Sequence, residues 1–499
     1  MKLDRLISNL SEKQVVGNYN PDIKGVVYDP LRVEKDFLYV AINIYTQLDK
    51  IELPDGHPFV SDAIKAGASA VLVQKDIDVP DGVVKIIVPD TRLALALVAG
   101  EFYRHPSRSF KLIGITGTNG KTTTAHIVDS ILAQKYRTGL IGTLYYKING
   151  EIYQSKDTTP EPPDLQEIFT NMKDQSVEYC VMEVSSHGVD FHRVSGVEYE
   201  VGVWTNFTQD HLDWHRTMDA YRASKLRWFG SLAPDKTVIV NVDDPSVNHF
   251  IEASKAKIVT FGIENPADVT AKYIDMGGNG TRFRLVTPNG EIDIHAKLRG
   301  MFNLYNMLAA VSSVLYQDIS LEDIKTGLEK EIVVAGRFQS INRGQDFTVI
   351  VDYAHTPDGL VKVLNAAKSM NPNRIITVFG CGGDRDNSKR PQMAAIVEEL
   401  SDIAVITDDN PRTEDPDVIA GQIVKGIQNT DSYDYTVIHD RHEAIEYALD
   451  IAQAQDLVLI AGKGHETTQT LKDRTIHFND VEIAEEILQT KIKAARLDK

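Results

Sequence analysis

At 499 residues the chain has room for about three domains. Its 42% hydrophobic and 25% charged residues are ordinary for globular protein, so each domain can bury a proper core. Lys and Arg number 53 against 71 Asp and Glu, a formal charge of −18, which argues against nucleic acid or an anionic membrane as partner. An anionic small ligand in a locally positive pocket stays possible.

Cys180 and Cys381 are the two cysteines, so there is neither a disulfide framework nor metal-type cysteine spacing. Both lie beside apolar or glycine-rich sequence and read as structural. The N-terminus carries Asp4 early and lacks a long apolar run, which excludes a signal peptide. No apolar stretch approaches the ~18 residues of a membrane span. A cytoplasmic protein is expected.

The elements suggest an α/β protein. In residues 1–107, Val26–Tyr28, Phe37–Ala41, Ala70–Val73 and Lys85–Val88 read as strands around one helical pattern. His105–Ser107 reads as a linker. From 108 to 335, strands are expected at Lys111–Ile115, Tyr179–Val184, Val201–Thr205 and Thr237–Asn241, separated by helical patterns, as in a parallel α/β sheet. The block 336–499 has strands at Thr348–Asp352, Arg374–Phe379, Ile403–Thr407 and Leu457–Ala461. Each ends in a loop rich in Gly, Asp or His, where ligands sit in open α/β sheets.

Gly114-Ile115-Thr116-Gly117-Thr118-Asn119-Gly120-Lys121-Thr122-Thr123 joins an apolar strand to a helical pattern. Glycines let backbone N–H groups wrap phosphate oxygens, and the helix start adds donors. Lys121 supplies a mobile cation, and the hydroxyl of Thr122 or Thr123 suits Mg²⁺. The glycines depart from the standard Walker spacing, but the strand–loop–helix context predicts a nucleoside triphosphate site.

Glu183-Val184-Ser185-Ser186-His187 places a carboxylate, two hydroxyls and an imidazole at a strand end. Hard oxygen donors suit Mg²⁺. A Ser-His pair could also signal nucleophilic catalysis, but no nucleophile-elbow pattern surrounds it. The run from Thr205 to His215 crowds Asp210, His211, Asp213 and His215 around two aromatics, and both histidines read as functional. Lys225, on the segment Asp219–Phe229, reads by itself as a solvated helix lysine. Asn303 and Asn306 open the helix at Met307–Leu315, and their amides suit a purine edge. Four strand-end loops of the last block, Asp352–Asp358, Gly380–Asp386, Asp408–Pro416 and Gly462–Glu466, form a second expected site.

Together G-T-N-G-K-T-T, E-V-S-S-H, T-N-x-x-x-D-H-L-D, G-x-F-N-x-x-N, A-G-R-F, D-Y-A-H-T-P-D and G-C-G-G-D-R-D resemble the Mur ligase family, in order and spacing, from about residue 25 onward. D-N-P-R with G-K-G-H-E is similar to the branch that adds the third stem-peptide residue. The resemblance implies three domains: a UDP-substrate-binding α/β domain (1–107), a central P-loop ATPase domain with a parallel sheet (108–335) and a Rossmann-like amino-acid-binding domain (336–499). It implies ATP-dependent addition of meso-diaminopimelate to the D-Glu γ-carboxylate of UDP-N-acetylmuramoyl-L-alanyl-D-glutamate, through an acyl phosphate, in peptidoglycan precursor synthesis. ATP is then a co-substrate and Mg²⁺ the cofactor, and the partners are small molecules bound by a monomer without membrane insertion. Folylpolyglutamate synthase, with a related phosphate loop, is disfavoured by the 107 residues before the loop and by D-N-P-R.

Residue by residue, the resemblance assigns Gly117, Thr118, Asn119, Gly120, Lys121, Thr122, Thr123, Asn303, Asn306, Arg337 and Asp352 to ATP. It gives Lys121, Glu183, His211, Lys225 and His355 to catalysis. Thr122, Glu183, His211 and a carbamylated Lys225 (N6-carboxylysine) are assigned to the metal. Tyr45, Thr46, Thr158, Thr159, Ser185 and Arg193 match the UDP-substrate motifs. Arg390, Asp409, Asn410, Pro411, Arg412, Gly462 and Glu466 are assigned to diaminopimelate. Arg412 grips the distal carboxylate, and Glu466 takes the distal ammonium. The family's uridine motif D-S-R-x-V reads Asp29-Pro30-Leu31-Arg32-Val33, residues 47–54 look inserted, and Phe191 stands where some relatives have glutamine.

Overall fold

The computed structural model describes residues 1–42, 55–277 and 280–497. Among these, the strands build three large sheets in succession along the chain. The first has the order Gln14–Val16, Val84–Ile87, Ala68–Val73, Phe37–Val40, Gly25–Val27 and is parallel except for Gln14–Val16. Among the described residues the helices Leu3–Leu6, Val60–Ala66 and Thr91–Phe102 belong to this unit, two more than the sequence pattern shows.

The central sheet runs Lys257–Phe261, Thr237–Asn241, Val201–Trp204, Lys111–Thr116, Tyr179–Glu183, Thr138–Ile141, then the hairpin Tyr145–Ile148 and Glu151–Gln154. Its first six strands are parallel; the hairpin is antiparallel. Lys111–Thr116 sits between Tyr179–Glu183 and Val201–Trp204, where the strand order reverses. A crevice opens at such a switch point, at the C-terminal strand ends. The helix Lys121–Leu132 starts there and buries Ala125, Val128 and Leu132. Helix Met301–Val314 packs against it through Leu304, Met307, Leu308 and Val311, all fully buried, each worth about 2 kcal/mol of transfer free energy. A separate antiparallel meander, Thr270–Asp275, Thr281–Thr287 and Gly290–Ala296, comes between them in the chain.

The last sheet has the order Gln339–Ile341, Thr348–Asp352, Leu457–Ala461, Ile375–Phe379, Ile403–Ile406, Asp434–Val437, parallel apart from its first strand. Parallel register brings the loops after Asp352, Ala461, Phe379 and Ile406 to one edge. Behind it, Arg441 and Asp480 form a bidentate pair with both side chains fully buried, and Arg441 Nη2 also donates to the Ala461 carbonyl (2.9 Å). Asp480 opens the helix Asp480–Leu497.

Candidate active site

One cavity of about 600 Å³ lies at the central switch point and is closed on its far side by the last sheet. Its floor is the phosphate loop. Gly117 (φ 146°) and Gly120 (φ 86°) occupy conformations side chains avoid, and a Cβ on Gly120 would lie 2.2 Å from Asn306 Oδ1. Thr118 to Thr123 all line the cavity. Lys121 Nζ donates to the Gly117 (3.0 Å) and Thr118 (2.9 Å) carbonyls, and burial lowers its pKa.

Glu183, wholly buried, ends the neighbouring strand. Its Oε1 accepts from Thr143 N (2.9 Å), and Oε2 accepts from the hydroxyls of Thr122 (3.0 Å) and Thr143 (3.1 Å). Among the described residues, no three His, Cys, Asp or Glu side chains make a preformed metal cage. A carboxylate flanked by two hydroxyls is nevertheless a hard-oxygen set, suited to Mg²⁺, which keeps water and phosphate oxygens as its other ligands.

Lys225 is not a solvated helix lysine. It is 1% exposed, lines the cavity, and donates from Nζ to the Gly117 carbonyl (2.9 Å). Burial, then the nearby Lys121, push its pKa well below the usual lysine range. The helix Met218–Phe229 carries it inward beside Tyr221, whose ring lies 4.7 Å from Nζ. His211 (φ 55°) also lines the cavity, edge-on to His187 with centroids 4.9 Å apart. Desolvation pulls its imidazole down to about 3, against the pull of Asp210. His215 is deeper, bonded to Ser186 Oγ (2.9 Å), and supports the wall rather than lining it.

The peptide-end residues gather at one side. Thr158 Oγ1 lies 3.0 Å from Thr143 Oγ1; Thr159 Oγ1 donates to Glu183 O (2.9 Å) and lies 3.2 Å from Ser185 Oγ. Arg193 donates to Thr159 O (2.8 Å) and pairs with Glu161 (2.8 Å) and Asp157 (3.2 Å). Tyr45 and Thr46 lie outside the described residues. Arg32 of the altered uridine motif is spent elsewhere, on Asp164 and Glu167 of helix Pro162–Asp174.

At the other side Asn306 faces Gly120, but Asn303 does not line this cavity. It is 2% exposed, donates to the Arg299 carbonyl (2.8 Å) and accepts from Asn306 (3.2 Å), so it braces Asn306 rather than offering an amide edge. Arg337 stacks on Tyr353 (4.4 Å), and Asp352 accepts from Phe338 N and Ala354 N (2.7 Å each). His355 Nε2 approaches Asp210 (3.7 Å). Burial favours protonation of Asp210, but His211, His355 and Lys389 outweigh it and hold this carboxyl well below the usual range. Asp358 bridges units, accepting from Asn119 Nδ2 (2.8 Å) and Thr208 Oγ1 (3.2 Å).

The residues expected to hold the amino acid form a second cluster, joined to the cavity by Gln209–Asp386 (3.0 Å) and Asp213–Arg385 (3.8 Å). Arg412 (φ 53°) donates to the Gly383 carbonyl (2.7 Å), and Pro411 O packs where a Gly383 side chain would stand. Asn410 donates to Glu466 (2.8 Å), and buried Lys463 donates to Glu466 (2.8 Å) and Asn410 (3.3 Å). Asp409 is 9% exposed, with Oδ2 against Gly462 (φ 114°).

Arg390 is misassigned by the sequence reading. It is 0% exposed, and its guanidinium is consumed by Glu414 (2.8 and 2.9 Å), Gln422 (2.7 Å) and the Gly382 carbonyl (2.9 Å). Nε alone has no hydrogen-bond partner among the described residues, and it is enclosed with the rest of the side chain. Arg385, five residues earlier and inside the G-C-G-G-D-R-D segment that ends at Asp386, is half-exposed and close enough to Arg412 to help lower its pKa, after burial.

Comparison with known proteins places this arrangement. The Mur ligase middle domain matches residues 115–314, and the Mur ligase glutamate ligase domain matches 336–464. The UDP-N-acetylmuramoyl-L-alanyl-D-glutamate--2,6-diaminopimelate ligase of Bacillus velezensis is 44% identical over 492 residues, 97% of this chain and 98% of that protein. That of Syntrophomonas wolfei is 41% identical over 497 residues, 99% of this chain and all of that protein. A solved structure of a ligase of the same name superposes with a TM-score of 0.65 at 32% identity, covering 94% of this chain and 95% of that one. Mycobacterium tuberculosis folylpolyglutamate synthase, solved with ADP and AMPPCP, shares the fold at 19% identity (TM-score 0.63, 74% of this chain and 92% of that one). With both domain matches, near-full-length relatives above 40% identity and one cavity uniting their motifs, the chain belongs to the Mur ligase family.

Proposed function

We propose that this protein is an ATP-dependent ligase that joins meso-diaminopimelate to the D-Glu γ-carboxylate of UDP-N-acetylmuramoyl-L-alanyl-D-glutamate. One observation carries the reading furthest. A single cavity runs from Asn306 past the phosphate loop to Thr158, Thr159 and Arg193, and its outer wall continues to the Arg385–Arg412 cluster. A nucleotide, a peptide carboxylate and an amino acid can meet there.

In this scheme the γ-carboxylate attacks the terminal phosphorus of ATP, releasing ADP and forming an acyl phosphate. The amine of diaminopimelate attacks the acyl carbon, loses a proton, and phosphate departs as the amide forms. The protein contributes position and charge rather than covalent bonds. Gly120–Thr123, at the helix start, donate backbone N–H groups to the phosphates, while Thr118 N and Asn119 N are held by Asn206, and Lys121 exchanges its loop carbonyls for phosphate oxygens. Thr159, Ser185 and Arg193 hold the dipeptide end. Glu183 and Thr122 would hold Mg²⁺, with His211 and Lys225 beside them, and the ion would offset charge on the phosphates. Burial and the nearby Lys121 hold the Lys225 amine well below the usual lysine range, which favours its attack on CO₂; carbamylation releases one proton and leaves a carboxylate-like group. Arg412, with Arg385 in place of Arg390, selects the distal carboxylate that lysine lacks. The domain roles are those of the sequence reading: 1–107 for the UDP end, 108–335 for ATP, 336–499 for the amino acid.

Among the described residues no helix is long and apolar enough to cross a membrane. Phosphate release from ATP with the UDP-muramoyl dipeptide, compared between meso-diaminopimelate and L-lysine, tests the reading. Turnover with diaminopimelate alone is expected; turnover with lysine alone overturns the role of the arginine pair.

A further inference from the structure

Glu161 is one carboxylate shared by two arginines from different units. Arg193, on the cavity wall, takes it closely, with Nε donating to Oε1 at 2.9 Å and Nη2 at 2.8 Å. Arg92, from the first unit, reaches it only at 3.4 and 3.5 Å. Arg92 is nevertheless 5% exposed, and its buried Nε has no hydrogen-bond partner among the described residues. It is also the second residue of helix Thr91–Phe102, where the helix dipole opposes a cation. A buried, loosely paired guanidinium at that end of a helix is a costly placement.

Its neighbours show what it touches. The Arg92 guanidinium lies 4.5 Å from the Phe191 ring centroid, and Arg193 lies 5.6 Å from the same ring. Phe191 packs on Trp214 (4.8 Å) and His187 (6.2 Å), and His187 lines the cavity. Arg92 therefore reaches the cavity wall by two routes, through Glu161 to Arg193 and through Phe191 to His187. Helix Thr91–Phe102 otherwise touches this wall through Asp90, its N-cap, 3.5 Å from His192.

We propose that Arg92 is a positioning residue for the UDP-linked substrate: it sets the register between the first unit and the peptide end of the cavity by holding Glu161 and Phe191, and through them Arg193. This rests on the function proposed above. A substrate held at its nucleotide end by one unit and at its carboxylate end by the other is sensitive to that register. ATP, held by the central and last units, is not.

The test is steady-state kinetics of the full-length protein carrying Arg92→Met, Arg92→Lys, Glu161→Gln and the Arg92→Met/Glu161→Gln pair, each substrate varied in turn. Arg92→Met is expected to raise KM for the UDP-muramoyl dipeptide about tenfold while leaving KM for ATP within about twofold. Arg92→Lys should recover part of the loss, and the double variant should be no worse than Glu161→Gln alone, as for residues acting through one group. Equal changes in KM for all three substrates, or additive effects of the pair, overturn the proposal. So does an unchanged dipeptide KM. If Arg92→Met fails to fold, Arg92→Lys and Glu161→Gln carry the same comparison. Absence of turnover by the unaltered protein would overturn the functional reading itself and this role with it, a result distinct from an active protein indifferent to Arg92.

Discussion

Two arginines 22 residues apart illustrate how burial separates support from recognition. Arg390 is enclosed by Glu414, Gln422 and Gly382, whereas Arg412 spends one strong hydrogen bond on a carbonyl and keeps the rest of its fork. Replacing Arg390 by Met should cost about 3 kcal/mol of stability, the lower end for breaking a buried pair because Glu414 is part-exposed, with kcat/KM for diaminopimelate changing less than about tenfold. Arg412→Met should do the reverse, lowering kcat/KM for diaminopimelate by about 100-fold or more while the melting temperature barely moves. Thermal melts beside amino-acid titrations separate the two. His215 gives a pH prediction of definite sign. Desolvation first, opposed by Asp190, lowers it from 6.5 to about 4 in the folded protein. Above 6.5 both states are neutral and no stability is lost. As pH falls from there towards 4 the unfolded chain gains a proton that the folded one refuses, at a cost of at most about 1.4 kcal/mol per pH unit. Melting temperatures measured across that window should fall with pH, and His215→Gln should flatten the slope.

At the scale of elements, the phosphate loop and its helix were legible because glycine, lysine and threonine each have one job there. The loop's fit to its neighbour was not. Asn306 occupies the space a Gly120 side chain would need. Gly120→Ala should therefore displace Asn306 and lower ATP affinity by at least about tenfold, measured by calorimetry, on top of the strain of a positive φ. Most parallel strands were readable as apolar runs ending in polar loops, with bounds within two residues of expectation, but Thr138–Ile141, Lys257–Phe261 and Asp434–Val437 went unread. The hairpin Tyr145–Ile148/Glu151–Gln154 went unread although Asn149-Gly150, both at positive φ, is a strong turn signal. The meander at 270–296 was missed as well; its alternation, clear in the burial of Thr281–Thr287, was hidden by charged residues on the exposed face. Lys225 was opaque for a different reason: a helical lysine reads as solvated unless tertiary packing turns that face inward. Asn303 within its motif and Arg390 four residues beyond one carried suitable chemistry, and only their enclosure shows that they brace their surroundings.

For the whole molecule, the proposed catalytic groups come from separate units whose seam includes the polar contacts Asn119–Asp358, Gln209–Asp386, His355–Asp210 and Arg385–Asp213 beside the ring pair Phe302–Phe338. Such seams favour relative motion over a fixed interface. Small-angle scattering with an ATP analogue and both substrates should show a smaller radius of gyration than the protein alone; superimposable profiles would rule closure out. The other end of the last unit is fastened quite differently. Arg441 lies wholly buried, hydrogen-bonded to the carbonyl before Gly462 and neutralised by Asp480. During synthesis the strand Leu457–Ala461 leaves the ribosome before Asp480 does. Until Asp480 arrives, the strand end that carries Gly462 must pack over an unpaired cation, which costs more than any one contact there returns. A nascent chain stopped short of Asp480 would thus lack a properly formed amino-acid loop, so the ability to choose a substrate is among the last things this polypeptide acquires as it is made.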